Sequence, residues 1–119
     1  MRRTDTLQQS RNRIDQYYAD SSKGLLGSIM HFEWDLKKAA ANKRKHGVSF
    51  EEATSSLRDP FSATAHDPDH SIDEVCFISY GVSSSGRLLM VSHTERGNAI
   101  RIISARLATK TERKIYEEG

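Results

Sequence analysis

Apolar and polar residues change rhythm along this chain at about residue 30. Before it, Leu7, Ile14 and Tyr17 or Tyr18 fall on one face of a short helix, but the stripe is thin and Ser21-Ser22-Lys23-Gly24 interrupts it. From Met30 the signals are denser. His31-Phe32-Glu33-Trp34 alternates over a span that suits a short initial strand. Asp35 is a good N-cap, Leu36 to His46 is rich in the helix formers Ala and Lys, and Gly47 stands where a left-handed residue ends such a helix. Ser49-Phe50-Glu51-Glu52 has the spacing of a capping box, in which Ser49 reaches the amide of Glu52 and the Glu52 carboxylate reaches back. A second helix is therefore predicted to about Leu57, with Phe50, Ala53 and Leu57 inward. Asp59-Pro60 ends it, because the residue before proline avoids helical angles.

The pattern then turns to strands. Ser62 to Ala65 reads as a short edge strand in a polar section, and Val75 to Gly81, Arg87 to Glu95 and Ile100 to Leu107 read as stronger ones. Ser83-Ser84-Ser85-Gly86 and Gly97-Asn98 supply turns between them, which makes an antiparallel meander of three to four strands. Thr109-Lys110-Thr111-Glu112 repeats the capping-box spacing and opens a C-terminal helix through about Glu117. A short N-terminal strand, two helices, a meander and a final helix define an α+β fold. Residues 30–119 form the expected domain. Residues 1–29 read as an N-terminal extension, a flexible helix or a mis-called start, since Met30 can itself begin a chain.

Composition narrows the setting. Of 119 residues, 29% are charged and 36% apolar, an ordinary globular balance. No apolar run approaches the ~20 residues that span a bilayer, so no membrane association is expected. The single cysteine, Cys76, excludes an intramolecular disulfide, and the segment after Arg2-Arg3 lacks the apolar stretch of a secretory signal; the cytoplasm is the expected location. The net charge of +2 arises within residues 1–29, where five basic residues face three acids. From Met30 onward the charges balance. Affinity for nucleic acid must then come from a local patch.

Three clusters carry candidate chemistry. His66-Asp67-Pro68-Asp69-His70 with Asp73 gathers imidazoles and carboxylates, but its Asp and Pro content reads as a polar turn; no metal site and no cofactor are expected. His46 closes the first helix directly after Lys43-Arg44-Lys45, which sets a titratable imidazole beside three cations. His93, Glu95 and Arg96 lie where one strand runs into a hairpin, with Arg101 and Arg106 on the next strand. Alternation puts Arg87, Val91, His93 and Glu95 on one face. A turn of strictly Gly97-Asn98 places Arg106 on that face and Arg101 on the other, and a loop longer or shorter by one residue exchanges them. Cross-strand charge pairing explains the same residues without any activity. The serines have no nucleophile signature, and Cys76 fits packing better than catalysis.

Taken in order, these segments resemble one family. Phe32-Glu33-Trp34-Asp35 and Lys43-Arg44-Lys45-His46-Gly47-Val48-Ser49-Phe50-Glu51-Glu52-Ala53 resemble the opening of BrnT toxins. Gly86-Arg87-Leu88-Leu89, His93-Thr94-Glu95-Arg96-Gly97, Arg101-Ile102-Ile103-Ser104-Ala105-Arg106 and Glu112-Arg113 with Tyr116 look like that family's last strands and final helix. The resemblance covers about residues 30–117. It departs before Phe77, where Val75-Cys76 stands in place of the family's usual Glu-Arg. It implies a RelE-like α+β fold, an RNA-cleaving toxin, neutralisation by a BrnA-type antitoxin, and contact with operator DNA only through the antitoxin complex.

Metal-free RNA cleavage needs a base for the 2′-hydroxyl, an acid for the leaving 5′-oxygen and cations for the charged phosphorane. Glu95 or His93 as base and His46 or His93 as acid fill the first two roles, with Arg106 as a further catalytic residue. Lys45, Arg87, Arg96 and Arg101 are the expected RNA-binding cations. All of them are expected around one pocket, where the middle of the sheet meets the end of the first helix. The competing expectation is a module that binds an antitoxin and acts as co-repressor without cutting RNA.

Overall fold

The computed structural model describes residues 18–20, 30–68 and 74–119. Strand β1 is Tyr18–Asp20 and β2 is Met30–Glu33; helices α1 (Leu36–His46) and α2 (Phe50–Leu57) follow. Then come β3 (Ala63–His66), β4 (Cys76–Val82), β5 (Leu88–Arg96), β6 (Ala99–Leu107) and helix α3 (Lys110–Glu118). One six-stranded sheet has the order β1-β2-β6-β5-β4-β3. The meander β3 to β6 is antiparallel, and β2 runs parallel to β6. This is the α+β arrangement that the pattern predicts. The expected helix over Leu7 to Tyr17 lies outside the described residues, whereas Tyr18–Asp20 is a strand paired with β2.

Helix α1 begins and ends where its caps dictate. Asp35 Oδ1 accepts from the amides of Lys37 and Lys38 at 2.8 and 3.2 Å, and Gly47, at φ 70°, closes the helix with its N–H on the Lys43 carbonyl. Only Asn42 of this helix is fully buried. Its amide fastens α1 to the sheet: Nδ2 donates to the carbonyls of Ala105 (2.8 Å) and Val48 (3.0 Å), and Oδ1 accepts from the Ala105 amide (3.1 Å). Strand β2 pairs with β6 only as far as Arg101, so beyond that point a side chain supplies the hydrogen bonds that a strand otherwise makes.

The core lies between this helical layer and one face of the sheet. Phe32, Trp34, Val48, Phe50, Ala53, Leu89, Val91, Ile102 and Ala105 form it, and the Trp34 and Phe50 rings meet edge to face at 5.9 Å. Gly81 lets α2 come close, since a Cβ there would stand 2.3 Å from the Ser56 carbonyl oxygen. Helix α3 is different. None of its residues is buried, and two polar clasps hold it: Arg106 donates to both Glu112 oxygens at 2.8 and 2.9 Å, and the Tyr116 hydroxyl donates to Asp59 at 2.6 Å. Among the described residues no helix is long and apolar enough to cross a membrane.

The β5–β6 register corrects one expectation. Arg96 faces Ala99 across the predicted two-residue turn, and His93 faces Ile102, as a strict Gly97-Asn98 hairpin requires. Ser92, however, faces Ser104, so Ile103 is an extra residue on β6. Beyond this bulge every β6 side chain changes face. Arg106 pairs with Met90 and Arg101 with Thr94, which puts both arginines on the face opposite His93.

Candidate active site

One cluster forms at the end of the sheet where β5 begins. Gly47 turns the chain out of α1 and leaves the half-buried His46 next to exposed Lys45. Arg87, which leads into β5, donates from Nη2 to the Gly47 carbonyl at 3.1 Å and so is anchored to the residue that follows His46. Glu52 holds the same guanidinium, accepting from Arg87 Nε at 3.0 Å and from Nη2, and it also accepts from Ser83 Oγ at 2.6 Å and from Ser85 Oγ. The Arg87 hydrogen bonds, with help from these hydroxyls, hold the Glu52 carboxyl at about 2 despite burial, so it is ionised at any working pH. Glu52 thus departs from its predicted capping role. Ser49 does accept from the Glu52 amide at 3.0 Å, but the carboxylate does not reach back, because a guanidinium and two hydroxyls offer more than one backbone N–H.

His93 is elsewhere and is sealed. Only 3% of its surface is exposed; it stacks on Phe77 at 5.8 Å, and its Nε2 is 2.8 Å from Ser79 Oγ, which in turn is 2.7 Å from Thr64 Oγ1. Burial pushes the imidazole down to about 4, so it is neutral near pH 7. Its Nδ1 has no hydrogen-bond partner among the described residues. Glu95, two residues on and on the same face, is exposed beside the hairpin.

The strand arginines occupy the opposite face and are engaged by carboxylates. At the hairpin end Arg96 Nη2 donates to Glu74 at 3.0 Å and Arg101 Nη1 lies 3.4 Å from the same carboxylate, with Glu33 3.9 Å from Arg96. Burial alone raises Glu74, but hydrogen bonding and charge from Arg96 together with the charge of Arg101 outweigh it and leave this carboxyl lowered. At the other end Arg106 is committed to Glu112, whose carboxyl is lowered chiefly by that bond. Tyr80 stands in the same row of the sheet, opposite Met90, which faces Arg106; burial and the nearby Glu112 charge raise its phenol.

The single expected pocket is therefore not what the strands build. Arg87 is tied at the β5 start to Gly47, which follows Lys45 and His46 in the chain; His93 lies inside the helix-covered face; Glu95 is at the hairpin; Arg96, Arg101 and Arg106 are on the other face. The bulge at Ile103 is the physical reason for the split between His93 and Arg106. Capping-box spacing singles out Glu52 and Glu112 but not their arginine partners, and Glu74 carries no signal beyond its charge. The bulge has one: the inward apolar series runs Ile100 and Ile102, then shifts parity to Ala105 across adjacent Ile102-Ile103. Among the described residues no group of three or more His, Cys, Asp or Glu is placed to hold a metal ion; Asp69, His70 and Asp73 lie outside them.

Comparison with known proteins gives matches of different weight. The family model "Ribonuclease toxin, BrnT, of type II toxin-antitoxin system" matches residues 34–112, about two thirds of the chain. Among solved structures, the crystal structure of the Brucella abortus ribonuclease toxin BrnT is similar at 22% identity and a TM-score of 0.48, covering 65% of this chain and 94% of that one. No curated protein matches.

Proposed function

The chain belongs to the BrnT family of ribonuclease toxins of type II toxin-antitoxin systems, and from that premise we propose that it cleaves RNA without a metal, at the cluster of Lys45, His46 and Arg87, and is neutralised by a BrnA-type antitoxin. The observation that carries the reading is the family match across residues 34–112, which contains every one of these three residues. The chemistry follows from their types. His46 takes the proton of a 2′-hydroxyl as its oxygen bonds to phosphorus, and as imidazolium returns a proton to the 5′-oxygen when the P–O bond breaks; the products are a 2′,3′-cyclic phosphate and a 5′-hydroxyl. Lys45 and Arg87 stabilise the phosphorane charge. Arg87 keeps Nη1 clear of its bonds to Glu52 and Gly47, and Glu52 fixes the direction in which that N–H points.

A second reading has its own support. Arg96, Arg101 and Arg106 are all tied to carboxylates, which suits a binding module better than a phosphate site. In that reading the protein pairs with the antitoxin, reaches operator DNA only through it, and leaves RNA intact. Induced expression without the antitoxin, followed by incubation of the purified chain with RNA in EDTA, separates the two. Growth arrest and cyclic-phosphate ends support the ribonuclease; normal growth and intact RNA leave the module.

A further inference from the structure

The outward side of α1 carries a charge pattern that helix stability does not explain. The helix holds five basic residues, Lys37, Lys38, Lys43, Arg44 and Lys45, and no acid. Cations in its last turn complement the helix dipole, but Lys37 and Lys38 stand in the first turn, where the dipole favours carboxylates and where the turn itself holds none beside the N-cap Asp35. Lys37, Lys43, Arg44 and Lys45 are exposed and make no ion pair among the described residues, in contrast to the strand arginines. Lys37 and Arg44 are seven residues apart, two turns along one face and about 10 Å in axial distance, with exposed Ala41 between them and Lys45 beside Arg44. The small side chain leaves room for a backbone to lie close. His46 stands at the same C-terminal end but projects about 180° from Lys37, on the half-buried side with Asn42, so a strand on this row reaches it by rounding the end of the helix.

We propose that the outward face of α1 is a docking rail for the phosphate backbone of the RNA strand that is cut at His46. The inference rests on the ribonuclease reading and deepens it by assigning how substrate is held. Ammonium and guanidinium groups that no carboxylate holds gain most from phosphate, because each contact releases a condensed counterion. Such a rail holds the strand along several phosphates while one phosphodiester, beyond the C-terminal end of the helix, is attacked at His46.

The test uses the full chain and a single-stranded RNA oligomer with 2′-O-methyl groups, which binds but lacks the nucleophile. Its affinity is measured across a salt series for the parent, for Lys37→Gln/Arg44→Gln and for the charge-preserving Lys37→Arg/Arg44→Lys. Loss of two phosphate contacts lowers the slope of log affinity against log salt by about 1.4 and weakens binding at low salt by roughly tenfold or more. The charge-preserving variant keeps the parent slope. An unchanged slope in the Gln variant overturns the rail, and so does an unchanged slope accompanied by weakened binding of purified antitoxin, which assigns the face to the partner. Unmodified RNA supplies the independent control: a parent protein that binds the methylated oligomer yet leaves unmodified RNA intact refutes the ribonuclease reading, while the slope comparison still decides the rail.

Discussion

Helix α1 and the strand pair β5–β6 both display clusters of cations, and the two regions hold them in opposite ways. On the strands, Arg96 and Arg101 converge on Glu74 and Arg106 is gripped by Glu112; these guanidiniums tie a loop and a helix to the sheet. On α1, Lys43, Arg44 and Lys45 are exposed and make no ion pair among the described residues. Charge of one sign is therefore no guide to where an anion binds. A phosphate approaching the strand arginines must displace a carboxylate, whereas on the helix it displaces only water and mobile ions. Arg87 stands between the two kinds, held by Glu52 but with one edge outward.

This contrast is sharpened most by paired substitutions. Lys45→Gln/Arg87→Gln is expected to slow RNA cleavage between a hundred and a thousandfold, the range for removing donors that meet developing charge. The matching strand pair, Arg96→Gln/Arg101→Gln, is expected to change cleavage by less than about threefold while lowering thermal stability, since it leaves Glu74 without its partners. Equal losses of cleavage from the two pairs erase the distinction.

The buried imidazole gives the next effect. The unfolded chain takes up a proton on His93 near 6.5 and the folded chain only near 4. Between these values the unfolded state holds more protons, so stability falls as pH drops from 6.5 to 4, by up to roughly 3 kcal/mol. His93→Phe removes this part of the acid sensitivity, read as a flatter unfolding midpoint over that window. A midpoint as steep as the parent's contradicts the buried neutral state.

The smallest effect concerns α3. Glu112→Gln with Tyr116→Phe opens both clasps and is expected to cost about 1 kcal/mol while speeding amide exchange along Lys110–Glu118 far more than in the core strands. Unchanged exchange in α3 means that other contacts hold it.

Much of the fold is legible in the chain, and the site less so, for one physical reason. Helix α1 starts and stops at the residues that its caps name, and Thr109 with Glu112 forms the capping box that its spacing predicts. Such signals are local: a cap is decided by residues three or four apart. The site depends on contacts between distant segments. Whether Glu52 turns back to its own helix or out to Arg87 is decided 35 residues away, and the sequence pattern favours the first while the structure has the second. The single inserted residue at Ile103 likewise moves Arg106 to the other face, although the turn itself is the predicted Gly97-Asn98 one. Its trace, a parity shift at Ile102-Ile103, is as short as the bulge.

The most direct measurement is single-turnover cleavage of one RNA by two purified variants, His46→Ala and His93→Phe, each first shown to be folded. A loss of 10²–10⁴-fold is predicted for His46→Ala, the usual worth of a general acid-base group, and a change within about threefold for His93→Phe. Near-parent cleavage by His46→Ala, with the large loss in His93→Phe instead, would contradict this and return the chemistry to the buried side of the sheet.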